Sequence, residues 1–190
     1  MRPARDCGSE ARDDVRVGLG HDTHRLDEGR PLILGGIRLD HPRGLVGHSD
    51  ADVVLHALAD ALLGAAALGD IGEHYPDTDP QWRGLDGGRL LAEVVDLVAR
   101  EGWRTVNCDL IIHAQEPKIG PHKPALRASI ARLLGVSPTA VNVKAKTGEH
   151  VGPIGRAEAI ACEAVVLIER VPEGPRAGAL DPDVEPTGRG

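Results

Sequence analysis

Aromatic side chains are almost missing from this sequence: phenylalanine is absent, and all aromatic residues together make up 2% of the 190 residues. Hydrophobic residues nevertheless reach 41%. The core must therefore be built from Ala, Val, Leu and Ile, which bury less apolar area per residue than rings do. The length fits one ordinary domain. Because a core of small side chains gains from further burial between chains, we expect an oligomer.

Cysteines and long apolar runs are also scarce. Cys7, Cys108 and Cys162 are odd in number and form no CxxC pair, which predicts a reducing cytoplasm rather than a disulfide scaffold. No apolar run is long enough to span a bilayer, and residues 1–14 lack the apolar core of a signal peptide. We therefore expect a cytoplasmic protein with no membrane partner.

Positive charge is in deficit, with 22 Lys and Arg against 29 Asp and Glu and a formal net charge of −7. No face dense in Lys and Arg is evident, so nucleic-acid binding is disfavoured. An acidic small substrate stays compatible, because a bound metal or a local basic cluster can reverse the field. Walker and GxGxxG patterns are missing, which removes support for nucleoside-triphosphate and dinucleotide roles.

The pattern of hydrophobic residues predicts the order β, β, α, α, β, α, β, β. The predicted strands cover 15–20, 31–39, 103–114, 140–147 and 157–170, and the predicted helices cover 49–64, 87–102 and 121–135. This order favours an α+β fold, with a mixed β-sheet covered on one face by helices. We expect a single domain over 15–170, between disordered tails at 1–14 and 171–190 that are rich in charge, Pro and Gly.

Local signals refine two of these elements. Ser49 is the predicted N-cap of the first helix, Asp52 follows as an approximate capping box, and Gly64 is expected just past its last turn. Within the second strand, Gly35 and Gly36 predict a bulge or a close backbone approach.

Two short stretches carry metal-ligand chemistry. Asp22 and His24, two apart at a strand end, point to the same face, and His56 lies on the first helix. One carboxylate and two imidazoles suit zinc with one open position. Asp52 or Asp60, each four residues from His56, would orient its ring. The alternative stays open, because D-x-H is common by chance and a helical histidine is usually just a helix residue.

Three loops concentrate the remaining polar residues. Residues 68–80 suit a sugar- or phosphate-binding loop or a plain solvated turn. The loop at 113–124 offers backbone groups to a planar base and Lys118 to a phosphate, or is simply tight. Residues 144–158 place Thr147 and Glu149 for phosphate and Mg²⁺, or form a charged turn.

Taken together, these stretches resemble the 2-C-methyl-D-erythritol 2,4-cyclodiphosphate synthase family of the non-mevalonate isoprenoid pathway. The matching pieces are collinear over about 15–170: "GHDTHRL", "LILGGI", "HSDADVVLHALADALLGAAALGDIG", "PDTDP", "AQEPKIGPH", "VNVKAKTGE" and "IGRAEAIACEA". The resemblance implies a homotrimer with active sites between subunits. It implies an enzyme that turns 4-diphosphocytidyl-2-C-methyl-D-erythritol 2-phosphate into the 2,4-cyclodiphosphate and CMP, by metal-assisted attack of the 2-phosphate on the β-phosphate.

The resemblance also implies residue roles. Asp22, His24 and His56 would hold Zn²⁺ or another divalent cation, and Glu149 would hold Mg²⁺ or Mn²⁺ with the substrate diphosphate. His48 and Thr147 are the implied catalytic contacts. The implied substrate-binding residues are Ser49, Asp70, Gly72, Tyr75, Pro76, Asp77, Thr78, Asp79, Ala114, Gln115, Pro117, Lys118, Lys146 and Arg156. The chain departs from the family pattern at Lys146, where a threonine is usual, and at Pro153, where an aromatic residue is usual.

Two other functions fit the same residues. A zinc-dependent phosphohydrolase would use the open metal position to activate water. A non-catalytic metal- or nucleotide-binding module would bind cytidine diphosphate without turnover.

Overall fold

A computed structural model describes residues 14–76, 78–82 and 84–172. The strands are β1 (Val15–Glu28), β2 (Leu32–Leu34), β3 (Ile37–Leu39), β4 (Arg43–Val46), β5 (Trp103–His113), β6 (Val141–Lys146) and β7 (Ala159–Arg170). The helices are α1 (Val53–Ala66), α2 (Ile71–His74), α3 (Gly87–Arg100), α4 (Lys123–Leu134) and α5 (Gly152–Gly155). The predicted tails lie outside the described residues except at Asp14, Val171 and Pro172; Asp14 and Val171 each take part in a backbone hydrogen bond.

Five strands form one mixed sheet in the order β4-β1-β7-β5-β6. Only β5 and β6 run parallel among its pairs, because α4 crosses between them. Helix α1 packs on β1 and β7, α3 on β5, and α4 on β6. The predicted α+β architecture is therefore confirmed.

Helix α1 lies unusually close to β1, because two positions of the strand carry no side chain. A Cβ added at Gly18 would come within 1.9 Å of the Ala61 carbonyl oxygen, and one added at Gly20 within 1.9 Å of the Ala57 carbonyl oxygen. The helix side of the contact is rich in alanine, and nearly all of α1 is buried. The separation between α1 and β1 is thus set by backbone contact rather than by side-chain packing.

The ends of α1 differ from the prediction. Asp52, not Ser49, is the N-cap: its Oδ1 accepts hydrogen bonds from Val54 N at 3.1 Å and Leu55 N at 3.2 Å. The helix also passes through Gly64 and ends at Ala66, because Ala67 adopts a left-handed φ of 60° and donates to the last carbonyls. Because the residues around this end have ordinary helical preference, the sequence does not show where α1 ends.

The predicted second strand is two short strands joined by a tight turn. Gly35 and Gly36 have φ values of 59° and 73°, as a two-residue hairpin loop requires, and β2 pairs with β3 across them. Both glycine amides donate to the Asp52 carboxylate, at 2.9 Å and 2.7 Å. The cap of α1 therefore also fastens this hairpin.

The sheet face opposite the helices exposes apolar side chains. Val17, Leu19 and Val165 are 65%, 69% and 43% exposed, although they lie in two interior strands of the sheet, β1 and β7. Strand β4 and the short helices α2 and α5 were not predicted, since each has only four residues. Within the described residues, no helix is long and apolar enough to cross a membrane.

Candidate metal centre and substrate cleft

Three side chains from β1 and α1 converge on one point. His24 Nε2 lies 2.9 Å and His56 Nδ1 lies 3.0 Å from the same oxygen, Asp22 Oδ2, and the two ring nitrogens are 3.2 Å apart. Asp22 and His24 share the face of β1 that α1 covers, and His56 precedes Ala57, whose carbonyl oxygen would meet a Cβ at Gly20. The structure thus brings together the ligand set that the sequence predicts.

A second contact fixes each histidine ring. The other nitrogen of His24, Nδ1, lies 3.0 Å from the Val46 carbonyl oxygen, so it carries a proton and leaves Nε2 free as a ligand. His56 Nε2 lies 3.2 Å from Ser49 Oγ, which holds the ring with Nδ1 turned toward Asp22. Such outer contacts orient metal-binding imidazoles and set their tautomer.

The expected orienting carboxylates serve other purposes, which corrects the prediction. Asp52 is fully buried and accepts four backbone N–H groups. Asp60 accepts the Ile71 amide at 2.8 Å. Neither carboxylate has a hydrogen bond to the His56 ring, whose described partners are Asp22, His24 and Ser49.

The donor set fits a tetrahedral divalent cation. Zinc–ligand bonds of about 2.0–2.1 Å at tetrahedral angles place neighbouring ligand atoms about 3.3 Å apart. The three separations here, 2.9, 3.0 and 3.2 Å, lie slightly below that value. One carboxylate and two neutral imidazoles leave a fourth position open, which is typical of catalytic zinc sites.

Electrostatics also favour a cation at this point. Burial alone would raise the pKa of Asp22, but hydrogen bonds and charge from His24 and His56 outweigh it and hold the pKa of this carboxyl well below its ordinary 3.8. Burial opposes protonation of His24, yet the Asp22 carboxylate raises the pKa of His24 above its ordinary 6.5. The carboxylate is therefore anionic at neutral pH and attracts positive charge.

The triad opens into a cleft of about 1290 Å³, larger than the roughly 300–1,000 Å³ typical of small-molecule sites. Six residues with implied substrate or catalytic roles line it: His48, Ser49, Gly72, Tyr75, Pro76 and Thr78. Asp70 instead caps α2 by accepting the Glu73 amide, and Asp79 accepts the Gln81 amide. Asp77 lies outside the described residues.

Sequence reasoning missed several residues of the cleft. The Trp82 ring packs edge-on against the Tyr75 ring, with the two ring centroids 5.0 Å apart. Arg30 donates to the Gly47 carbonyl at 3.1 Å and the Ser49 carbonyl at 3.2 Å, which holds the segment that carries His48. Because aromatic residues are so rare in this chain, Trp82 could have been singled out from the sequence as a candidate site residue. No local pattern marks Arg30, since its partners lie 17 and 19 residues away.

The remaining predicted site residues form a second group elsewhere on the chain. The Ala114 amide donates to the Lys146 carbonyl at 2.9 Å, and Gln115 Nε2 lies 3.4 Å from His150 Nε2. Thr147 Oγ1 donates to Glu149 Oε1 at 2.5 Å. The group consists of Ala114, Gln115, Pro117, Lys118, Lys146, Thr147, Glu149 and Arg156. None of these eight is among the described residues that line the cleft beside Asp22, His24 and His56.

Comparisons with known proteins identify the family to which the chain is similar. The family model described as the YgbB family matches residues 15–169. A relative from Dechloromonas aromatica (strain RCB), named 2-C-methyl-D-erythritol 2,4-cyclodiphosphate synthase, is 57% identical over 158 residues, which cover 83% of this chain and 99% of the relative.

Solved structures of similar chains include complexes with CDP. The CDP-bound form of a 2C-methyl-D-erythritol-2,4-cyclodiphosphate synthase is 42% identical with a TM-score of 0.75, over 81% of this chain and 100% of that chain. A CDP complex of IspF from Plasmodium falciparum is 29% identical with a TM-score of 0.74, over 84% of this chain and 99% of that one.

Proposed function

Because the chain belongs to the YgbB family, which includes 2-C-methyl-D-erythritol 2,4-cyclodiphosphate synthases, we propose that it converts 4-diphosphocytidyl-2-C-methyl-D-erythritol 2-phosphate to 2-C-methyl-D-erythritol 2,4-cyclodiphosphate and CMP. The observation that carries this proposal is the convergence of Asp22, His24 and His56 at an open cleft. Such a site can hold a cation against a diphosphate.

The reaction needs little covalent chemistry from the protein. An oxygen of the 2-phosphate forms a bond to the β-phosphorus, the bond from that phosphorus to the bridging oxygen breaks, and the electron pair leaves with CMP. The attacking phosphate is already anionic, so no general base is required. The chain's contribution is to align the two phosphates and to offset their charge.

Both groups of site residues take part in this proposal. His48 and Ser49, next to the metal ligands, would contact the substrate. Asp70 and Gly72 would contact the ribose, and the loop at 75–79 would receive the methylerythritol end. Thr147 and Lys146 would contact phosphate, Arg156 would lie along the same edge, and the loop at 114–118 would hold the cytosine ring.

Two divalent cations fit the donors. Asp22, His24 and His56 would hold zinc, since the set is nitrogen-rich. Glu149, a carboxylate beside a hydroxyl, would hold Mg²⁺ or Mn²⁺. When bound, these ions would polarise the β-phosphate and offset the charge of the departing CMP.

A homotrimer would complete the site. The cleft lacks the second group of predicted residues, so a neighbouring subunit would supply them. The exposed Val17, Leu19 and Val165 would be covered in that assembly, since a contiguous apolar surface marks an interface. The cytoplasmic location and the lack of a nucleic-acid partner rest on cysteine usage and charge alone.

The decisive experiment incubates the purified protein with the CDP-bearing substrate and Mg²⁺ in ¹⁸O-labelled water. Cyclisation releases CMP and incorporates no ¹⁸O, whereas a phosphohydrolase gives linear, labelled products. Binding of CDP without turnover would identify a non-catalytic module. We expect His56→Ala to lose metal and activity while it stays folded, and His74→Ala, outside the triad, to keep its metal.

A further inference from the structure

One arginine joins three segments that are far apart in the sequence. Arg43, the first residue of β4, donates from Nη1 to the Ala157 carbonyl at 2.8 Å and from Nη2 to the Glu116 carboxylate. His41 steadies this corner, because its Nδ1 lies 2.9 Å from the Arg43 carbonyl oxygen and its Nε2 lies 3.9 Å from Glu116 Oε1. A planar guanidinium suits such a bridge, since its donors are fixed in a fork.

The two segments that Arg43 reaches carry the second group of site residues. Glu116 lies inside the loop at 114–120, and Ala157 follows Arg156 directly. These loops are also fastened to each other by the Ala114–Lys146 hydrogen bond and the Gln115–His150 contact. Arg43 therefore ties a two-loop unit to β4 from outside.

Strand β4 is also part of the metal centre. Its last residue, Val46, provides the carbonyl oxygen that orients His24. Only three residue steps, about 10 Å of extended chain, separate that carbonyl from Arg43. One short strand thus supports a metal ligand at one end and the loop at 114–120 at the other.

We propose that Arg43 is a positioning residue for nucleotide binding. With Glu116 and the Ala157 carbonyl, it holds the 114–120 loop in the shape that accepts the nucleobase. This role rests on the proposed function, because it takes the loop to be the base-binding segment.

The test compares the affinities of CDP and inorganic pyrophosphate in metal-loaded Arg43→Met and Glu116→Gln, by calorimetry. Arg43→Met removes the bridge, and Glu116→Gln removes the ion pair and leaves at most a neutral hydrogen bond, so both should weaken CDP binding by about three- to tenfold, a modest factor because the pair is partly exposed. Pyrophosphate has no base, so its affinity should stay unchanged. In turnover, KM should rise by the same factor while kcat stays near the wild-type value.

The direction in which CDP affinity changes in Glu116→Gln is the most discriminating result. If the carboxylate acted only through its charge, its removal would tighten CDP binding, and that result would overturn the proposal. An equal loss of pyrophosphate affinity in Arg43→Met would overturn it too, since Arg43 would then contact phosphate directly. Unchanged CDP affinity in both variants would do the same. Glu116→Gln keeps the test decisive if Arg43→Met does not fold.

A matched control is available in Arg127, which also bridges backbone carbonyls. Its guanidinium donates to the Val141 carbonyl at 2.9 Å and the Pro138 carbonyl at 3.0 Å. Arg127→Met should cost stability without changing CDP affinity, and Arg43→Lys should restore part of the loss. Wild-type protein that binds no CDP would refute the proposed function itself, which is a different result from a null effect in the variants.

Discussion

The substitution Gly20→Ala should move His56 away from Asp22 and His24, although Gly20 is not itself a metal ligand. The added Cβ would lie 1.9 Å from the Ala57 carbonyl oxygen and 2.6 Å from the Ala61 amide nitrogen. An ordinary contact between such atoms needs about 3.5 Å, so α1 must retreat from β1 by about 1.5 Å. Both obstacles are backbone atoms, and no side-chain rotation relieves them.

His56 is the residue before Ala57, so it moves with the helix while Asp22 and His24 stay on the strand. A shift of about 1.5 Å far exceeds the tolerance of about 0.2 Å on metal–ligand bonds. We expect Gly20→Ala to weaken metal binding by at least about 100-fold, since loss of an outer contact alone costs 10–100-fold. Overpacking should also cost about 1–3 kcal/mol of stability.

Two glycines provide the controls. Gly64 lies on α1 with no atom within 4 Å of an added Cβ, so Gly64→Ala should keep metal affinity and gain up to about 1 kcal/mol. Gly18→Ala strains the contact one turn further along α1, at Ala61, and should lose stability with less effect on the metal. Competition with a chromogenic chelator measures affinity, and thermal unfolding measures stability. Metal affinity in a folded Gly20→Ala equal to the wild type would refute the reasoning.

Three further predictions concern stability and pH. Asp52→Ala leaves four backbone N–H groups without their buried acceptor and should cost about 3–5 kcal/mol in denaturant unfolding; a loss below about 1 kcal/mol would contradict the double role of this cap. Metal affinity should fall as pH drops, with a midpoint above 6.5, because the proton competes for His24, whose pKa is raised; a metal titration across pH that stays flat down to 6 would contradict it. For the proposed zinc site, protein in EDTA should have a Tm about 5–10 °C below that of protein with free zinc at 100 times its Kd, and the shift should vanish in His56→Ala.

The longer elements could be predicted because their signals are local. The α3 helix places Leu90, Leu91, Val94 and Val98 on its buried face, at the spacing that the sequence displays. Strand β5 is also recognisable from a local pattern, the alternation of hydrophobic and polar residues along it. Strand β4 was missed because four residues carry no period, and its pairing with β1 is a long-range contact.

The metal centre was predictable only in its ligands. Two-residue spacing on β1 brings Asp22 and His24 to one face, but nothing in the pattern says that α1 lies over them. That placement depends on Gly18 and Gly20, because a Cβ at either position would meet the backbone of α1. The contacts that orient the rings involve the Val46 carbonyl and Ser49, and backbone carbonyls leave no trace in a sequence.

The charges around the cleft connect the proposed metal site with the proposed homotrimer. Among the described residues that line the cleft, Arg30 is the one Lys or Arg, and its guanidinium is already committed to the carbonyls of Gly47 and Ser49. These hydrogen bonds to neutral carbonyls fix the position of the guanidinium but leave its charge, and a single positive charge offsets only part of the charge of a diphosphate. The basic residues proposed to contact phosphate, Lys146 and Arg156, stand in the other group. In one subunit, the cation proposed to bind Asp22, His24 and His56 would then supply most of the positive field. For the proposed homotrimer, a variant whose subunits are separated should accordingly still bind zinc in a metal titration while its affinity for CDP falls.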